Sequence, residues 1–204
     1  SWELLTPEER AVLCACSVFR GGFSLDIAEE VLAGPAGLSE VIDVLQGLRD
    51  KSMLRGVNSE LAPGQLRFGM FASVRAYAAD RLERAGGSDA AVRAHRGALL
   101  PRAEVWASGV YGHDVVNCLR ALRLEQGNLL AVVERGLDAS AVVRAALALE
   151  PLLVTRGPLD TLLSVLDQAE IAASGQPQLL AQVLRARGNT HRQLGHMDEA
   201  RADL

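Results

Sequence analysis

The chain has 204 residues, of which 49% are hydrophobic and only 4% aromatic, and its net charge is −4. That composition supports a packed core and excludes general disorder. It also lacks the overall basic field that drives nucleic-acid binding. No apolar run reaches the roughly 18–20 residues that span a bilayer. The opening Ser1-Trp2-Glu3-Leu4-Leu5 has neither the basic nor the apolar region of a signal peptide and reads as a cut made inside a longer protein. Abundant alanine and leucine, with few aromatic and β-branched runs, predict helix throughout.

In chain order, Thr6-Pro7-Glu8-Glu9 is a helix start, with Thr6 and Glu9 spaced as a capping box. This helix should run to about Phe19 and stop at Gly21-Gly22. Ser24 begins a second helix, Leu25 to Leu32, which Gly34-Pro35 should break. A third, about Leu38 to Lys51, carries Leu38, Val41, Ile42, Leu45 and Leu48 at helical spacing. Residues 52–57 and 65–70 are short and partly alternating, and Pro63-Gly64 lies between them, which reads as a β-hairpin with a long loop. A helix over about 71–85 follows. Three helices and then a two-stranded wing is the order of a winged helix.

From Asp89 onward every segment reads as helix: about 89–108, 112–122, 126–136, 139–155, 159–173, 177–193 and 197–204. Connections this short build antiparallel hairpins. The last two segments carry a tetratricopeptide-type pattern, with Ala181, Leu184, Gly188 and His191 on the inner face of one helix, Leu194-Gly195 at the turn, and Ala200 and Leu204 on the next. Arg156-Gly157-Pro158 with Leu162, Leu166 and Ala169 is a looser copy, for which an irregular helical hairpin is the alternative. Because the final repeat is incomplete, its apolar end would need cover, and self-association is one way to supply it. The organisation expected is therefore mainly α: a winged-helix-like domain over 1–87, a helical linker over 88–138 and TPR-like helical hairpins over 139–204.

Little in the chain suggests chemistry. Three cysteines, Cys14, Cys16 and Cys118, fit reduced thiols in the cytoplasm, with Cys14 and Cys16 as small core residues on different helical faces. His191 and His196 are five apart, off a common helical face, and His95 reads as a residue that packs or hydrogen-bonds between helices. His113-Asp114 reads as a helix start. No nucleophile elbow, zinc-binding helix or phosphate-binding G-x-x-x-x-G-K-[ST] loop occurs. Neither catalytic nor metal-ligating residues can be assigned, and no cofactor is expected in this chain. Glu125 and Asn128 share a helix face, either as a polar brace or as a helix start beside an exposed acid. Residues 1–86 carry 9 basic and 12 acidic side chains, so DNA is disfavoured as a partner of this module.

Several stretches together resemble one family. They are Trp2-Glu3-Leu4-Leu5, Ser17-Val18-Phe19-Arg20-Gly21-Gly22-Phe23-Ser24, the run from Leu45-Gln46-Gly47-Leu48 to Met53-Leu54, and the run from Leu66-Arg67-Phe68 to Tyr77-Ala78. Val92-Arg93-Ala94-His95 and Leu124-Glu125-Gln126-Gly127-Asn128-Leu129 continue the series. They resemble the segment that follows the nucleotide-binding domain in bacterial signal-transduction NTPases of the STAND class. The resemblance implies a winged helix packed on an upstream domain that binds ATP or ADP, then a linker, then a repeat arm holding a protein or peptide ligand. Phe68, Phe71 and Tyr77 are the expected interdomain packing residues; Asn189, Arg192 and Gln193 are the expected partner groove. Related eukaryotic switch proteins carry Met-His-Asp where this chain has Met70-Phe71-Ala72, which cannot donate a hydrogen bond to a phosphate. A stand-alone peptide-binding adaptor and a winged-helix DNA-binding regulator are the alternatives.

Overall fold

A computed structural model describes residues 2–36 and 41–203, without the side chains of 33–36. It is mainly helical and divides into two compact units, residues 1–99 and 100–204.

The first unit opens with a single 3-10 turn, Trp2–Leu4, and α1, Pro7–Ala15. The expected capping box is present: the Glu9 backbone N–H donates to Thr6 Oγ1 at 3.1 Å, and the Thr6 N–H donates to Glu9 Oε2 at 2.8 Å. Lys51 Nζ also donates to both Glu9 oxygens at 2.7 Å, tying α1 to the end of the third helix. This bond holds the Glu9 carboxyl below its ordinary value against the opposing effect of burial. A carboxyl depressed in the folded state adds stability above its unfolded pKa and loses it as pH falls through the folded value. Replacing Thr6 by alanine is expected to cost about 1 kcal/mol through the lost cap. Urea titrations at pH 7 and at pH 3 check this, with Glu9→Gln removing the pH dependence of the Lys51 contact.

β1, Phe23–Ser24, precedes α2, Leu25–Ala36, and α3, Val41–Asp50. α2 continues through Gly34 and Pro35 where a break was expected. Pro35 lies in the last turn, so the missing N–H removes only a terminal bond. Leu38, expected on the third helix, lies outside the described residues. Leu45 and Leu48 on α3 are fully buried, as their spacing demands. β2, Arg55–Gly56, and β3, Arg67–Gly69, form the expected hairpin, but the sheet has three strands in the order β1-β3-β2. Phe23 pairs with Phe68 and Gly56 also pairs with Phe68, both antiparallel. α4, Ala72–Arg84, follows.

α5, Ser88–Gly109, runs from the first unit into the second. The second unit continues with α6, Val115–Arg135; α7, Ala139–Arg156; α8, Leu159–Ala173; α9, Pro177–Leu194; and α10, Met197–Asp203. From α6 onward each helix packs on the next, and α6 also meets α8 and α7 meets α9, so the helices overlap in a staggered stack. α7 and α8 supply the centre, where Val143, Leu149, Leu153, Leu162 and Leu166 are fully buried.

Helices 112–122 and 126–136 were expected to be separate. They form the single α6, which carries Gly127 in its interior. An interior glycine costs only about 0.5–1 kcal/mol, and the burial of Leu122 and Leu129 on either side outweighs it. Gly136 and Gly195 do end helices, each with positive φ, 62° and 82°, where an L side chain would be strained.

Candidate functional site

Two surfaces carry the residues singled out from sequence, one in each unit. In the first unit β3 places Phe68 inward. It is 0% exposed and stacks on Phe23 at 5.9 Å, and Phe23 stacks on Phe19 at 4.2 Å. Phe19 meets the buried His95 ring edge-on at 5.2 Å, so His95 is a core residue of this column. Phe68 therefore packs within its own unit. Phe71 and Tyr77 are different, being 50% and 41% exposed.

Both exposed aromatics sit under arginines. The Arg55 guanidinium lies 5.2 Å from the Phe71 ring centre. Arg81 lies 5.0 Å from Tyr77 and 5.7 Å from Trp2, while Arg10 lies 5.6 Å from Trp2. Trp2 and Tyr77 meet edge to face at 5.4 Å. Flat rings and guanidinium groups combine large contact area with little loss of side-chain freedom, and they are enriched at protein interfaces. Sequence reading found Phe71 and Tyr77 but missed Trp2, Arg55 and Arg81. The arginines become visible only once the wing and α4 are folded.

The third helix is the usual reader of DNA in a helix-turn-helix. The exposed side of α3 presents Asp43, Gln46, Arg49 and Asp50. Arg49 lies 3.7 Å from Asp50, and Lys51 is bound to Glu9. Two acids and one self-compensated arginine make a poor surface for phosphate.

Residues 5–83 match the family model of the winged helix-turn-helix domain. The match covers α1 to α4 and the three-stranded sheet of this winged helix, and stops before α5. The comparisons with curated proteins and with solved structures returned no match.

In the second unit, α9 carries the expected groove residues. Arg192 Nη2 donates to Asn189 Oδ1 at 3.1 Å, one turn apart on the same surface, and Gln193 is exposed beside them. The buried stripe of α9 is not the expected one. Val183, Ala186 and Thr190 face inward together with Gly188, whereas Ala181 is exposed and Leu184 and His191 are only half-buried. Thr190 keeps its hydroxyl satisfied by donating to the Ala186 carbonyl at 2.9 Å. Ala200 is buried as expected, and Leu204 lies outside the described residues.

His191 and His196 were expected to diverge, yet their Nδ1 atoms stand 3.4 Å apart. The left-handed turn at Gly195 folds the chain back and brings the second ring beside the first, tilted by 41°. No cluster of three or more metal-ligating side chains exists among the described residues. Cys14, Cys16 and Cys118 are buried free thiols, all pushed above the ordinary thiol range by burial. No described helix is long and apolar enough to cross a membrane.

Two polar arrangements organise the arm. Asn128 donates to Glu125 Oε2 at 2.6 Å, and both side chains are buried inside α6. The reading of Glu125 as an exposed acid beside a helix start is thus corrected: the pair lies mid-helix and in the core. Asn128→Val removes this donor and its hydrogen bond to a buried carboxylate. A loss of about 1–3 kcal/mol is expected, measured by denaturant titration, with Glu125→Gln/Asn128 retaining most of the stability. The second arrangement centres on Arg187. It donates to Asp203 through Nε at 2.8 Å and Nη2 at 2.6 Å, to Asp167 at 3.0 Å, and to Glu170. One α9 side chain therefore links α8 and α10.

Proposed function

We propose that this chain is a non-catalytic regulatory segment. In this reading the winged helix relays the state of an adjoining nucleotide-binding domain, and the helical arm, taken as tetratricopeptide-like, holds a protein or peptide. ATP or ADP would belong to the adjoining domain. The observation that supports this best is the exposed set of aromatic rings under arginines, Phe71 with Arg55 and Tyr77 with Arg81, on a domain whose DNA-reading helix is acidic. The staggered helices of the arm leave an extended surface of the kind that stacked repeats use for binding, and in this reading Asn189, Arg192 and Gln193 line it.

Titrating the purified nucleotide-binding domain of the parent protein with this chain tests the proposal. The expected result is association together with a changed ATPase rate, and at least tenfold weaker association for the doubly substituted Phe71→Ala/Tyr77→Ala chain. Absence of both association and any rate effect removes the reading.

The winged-helix match favours a second reading, DNA binding through α3. It predicts salt-dependent retention on duplex DNA. Elution at low salt, unchanged by Arg49→Ala, disposes of it.

A further inference from the structure

We infer that the first unit contains a binding site for a small amphipathic anion: an apolar chain with a single carboxylate-type head. The site is an open cavity of about 560 Å³ between α1, α2, α4 and the start of α5. That volume lies within the range of small-molecule sites, about 300–1,000 Å³. Its walls are alanine-rich, with Ala11 from α1 and Ala90 and Ala91 from α5, and Val31 closes part of it. The short side chains keep the helices from filling the space between them.

Charge decides the class of occupant. Among the described residues, the charged ones on the lining are Arg10 and Arg81, and none is acidic. Arg10 is engaged, since it donates to the backbone carbonyls of Trp2 at 3.3 Å and Glu3 at 3.2 Å. Arg81 lies over the Trp2 and Tyr77 rings and makes no ion pair with a described residue. A guanidinium beside an apolar cavity, held by aromatic faces and with no carboxylate partner among the described residues, complements an anionic head whose tail enters the cavity. Among the described lining residues a cationic solute finds no carboxylate to pair with. Trp2 also lines the cavity, so its fluorescence reports on occupancy.

The inference does not depend on the proposed coupling to a nucleotide-binding domain, and the test uses this chain alone. The chain carrying Trp106→Phe, so that Trp2 is the sole indole, is titrated with octanoate, decanoate and dodecanoate below their micelle concentrations. Decanol and decyltrimethylammonium serve as the uncharged and cationic controls. Affinity is expected to rise about fourfold per added methylene until the cavity is full. Decanoate should bind at least tenfold more tightly than decanol, and the cation most weakly. Arg81→Gln should erase the preference of decanoate over decanol while the chain stays folded. Ala90→Phe changes an exposed position and fills the cavity, so it should abolish binding of all three chain lengths. No binding by the folded chain overturns the inference and leaves the cavity to a protein partner. Equal affinity for anion and cation, or binding unaffected by Ala90→Phe, overturns it as well.

Discussion

Replacing Phe68 with alanine is expected to destabilise the first unit by about 3–5 kcal/mol, a large share of the roughly 5–15 kcal/mol that holds a domain folded. Phe68 is fully buried on the central strand, and both neighbouring strands pair with it. Truncation removes one end of the ring column that runs through Phe23 and Phe19 to His95. The neighbours cannot collapse into the space without breaking the sheet register, so most of the cavity term remains. Phe68→Leu should cost less, about 1–2 kcal/mol, because more of the volume is kept. Phe71, three residues later and half exposed, is the internal comparison: Phe71→Ala should stay within about 0.5 kcal/mol. Urea unfolding followed by Trp2 emission in the Trp106→Phe background reads the first unit directly. Similar midpoints for the two alanine variants would contradict this account of the sheet.

Arg187→Ala carries the second large effect, expected at about 2–3 kcal/mol in the arm. Removing one partner from a fully buried pair costs about 3–5 kcal/mol. The value here is reduced because Asp167 and Glu170 reach water, with side chains 57% and 38% exposed. Asp203 has no such relief, at 7%. Its carboxyl is held below the ordinary value of 3.8, chiefly by the Arg187 hydrogen bonds and against the opposing effect of burial. The sign follows: the contact contributes fully above the unfolded pKa of Asp203 and fades as pH falls through its lower folded value. α10 should therefore detach first in acid. Hydrogen exchange of α10 amides between pH 5 and pH 2.5 checks the order, and Asp203→Asn should reproduce the acid behaviour at neutral pH. Slow exchange in α10 of the Arg187→Ala chain would show that apolar packing at Ala200 alone holds that helix.

What could be read from sequence was local. The capping box joins Thr6 to Glu9, three residues apart, and the hairpin strands flank a loop marked by Pro63 and Gly64, so both were visible. β1 was missed because a strand of two residues, Phe23–Ser24, has no period to recognise, and its partners, Arg67 and Phe68, are far along the chain. The fusion of α6 was missed because Gly127 resembles a break until the burial of Leu122 and Leu129 is known. The same limit applies to the candidate site. Phe71 and Tyr77 could be nominated by type and position, but the arginines over them come from the wing and α4. Arg187 draws its partners from positions 16 to 20 residues away on two other helices, and no spacing rule encodes that. The His191–His196 pair was judged on helical geometry, which stops at Gly195.

The position of β3 at the middle of its sheet bears on how the first unit comes into being. A chain growing from its amino end produces β1 and β2 before the strand that must join them. Neither can pair until Gly69 has been made, so residues 23 and 56 wait as unsatisfied edges while the nascent helices gather. Closure is then a late event spanning about half of the unit, the kind of long-range step that slows folding. A protease nick in the 57–66 loop should be tolerated once closure has occurred, and the same nick made beforehand should prevent it.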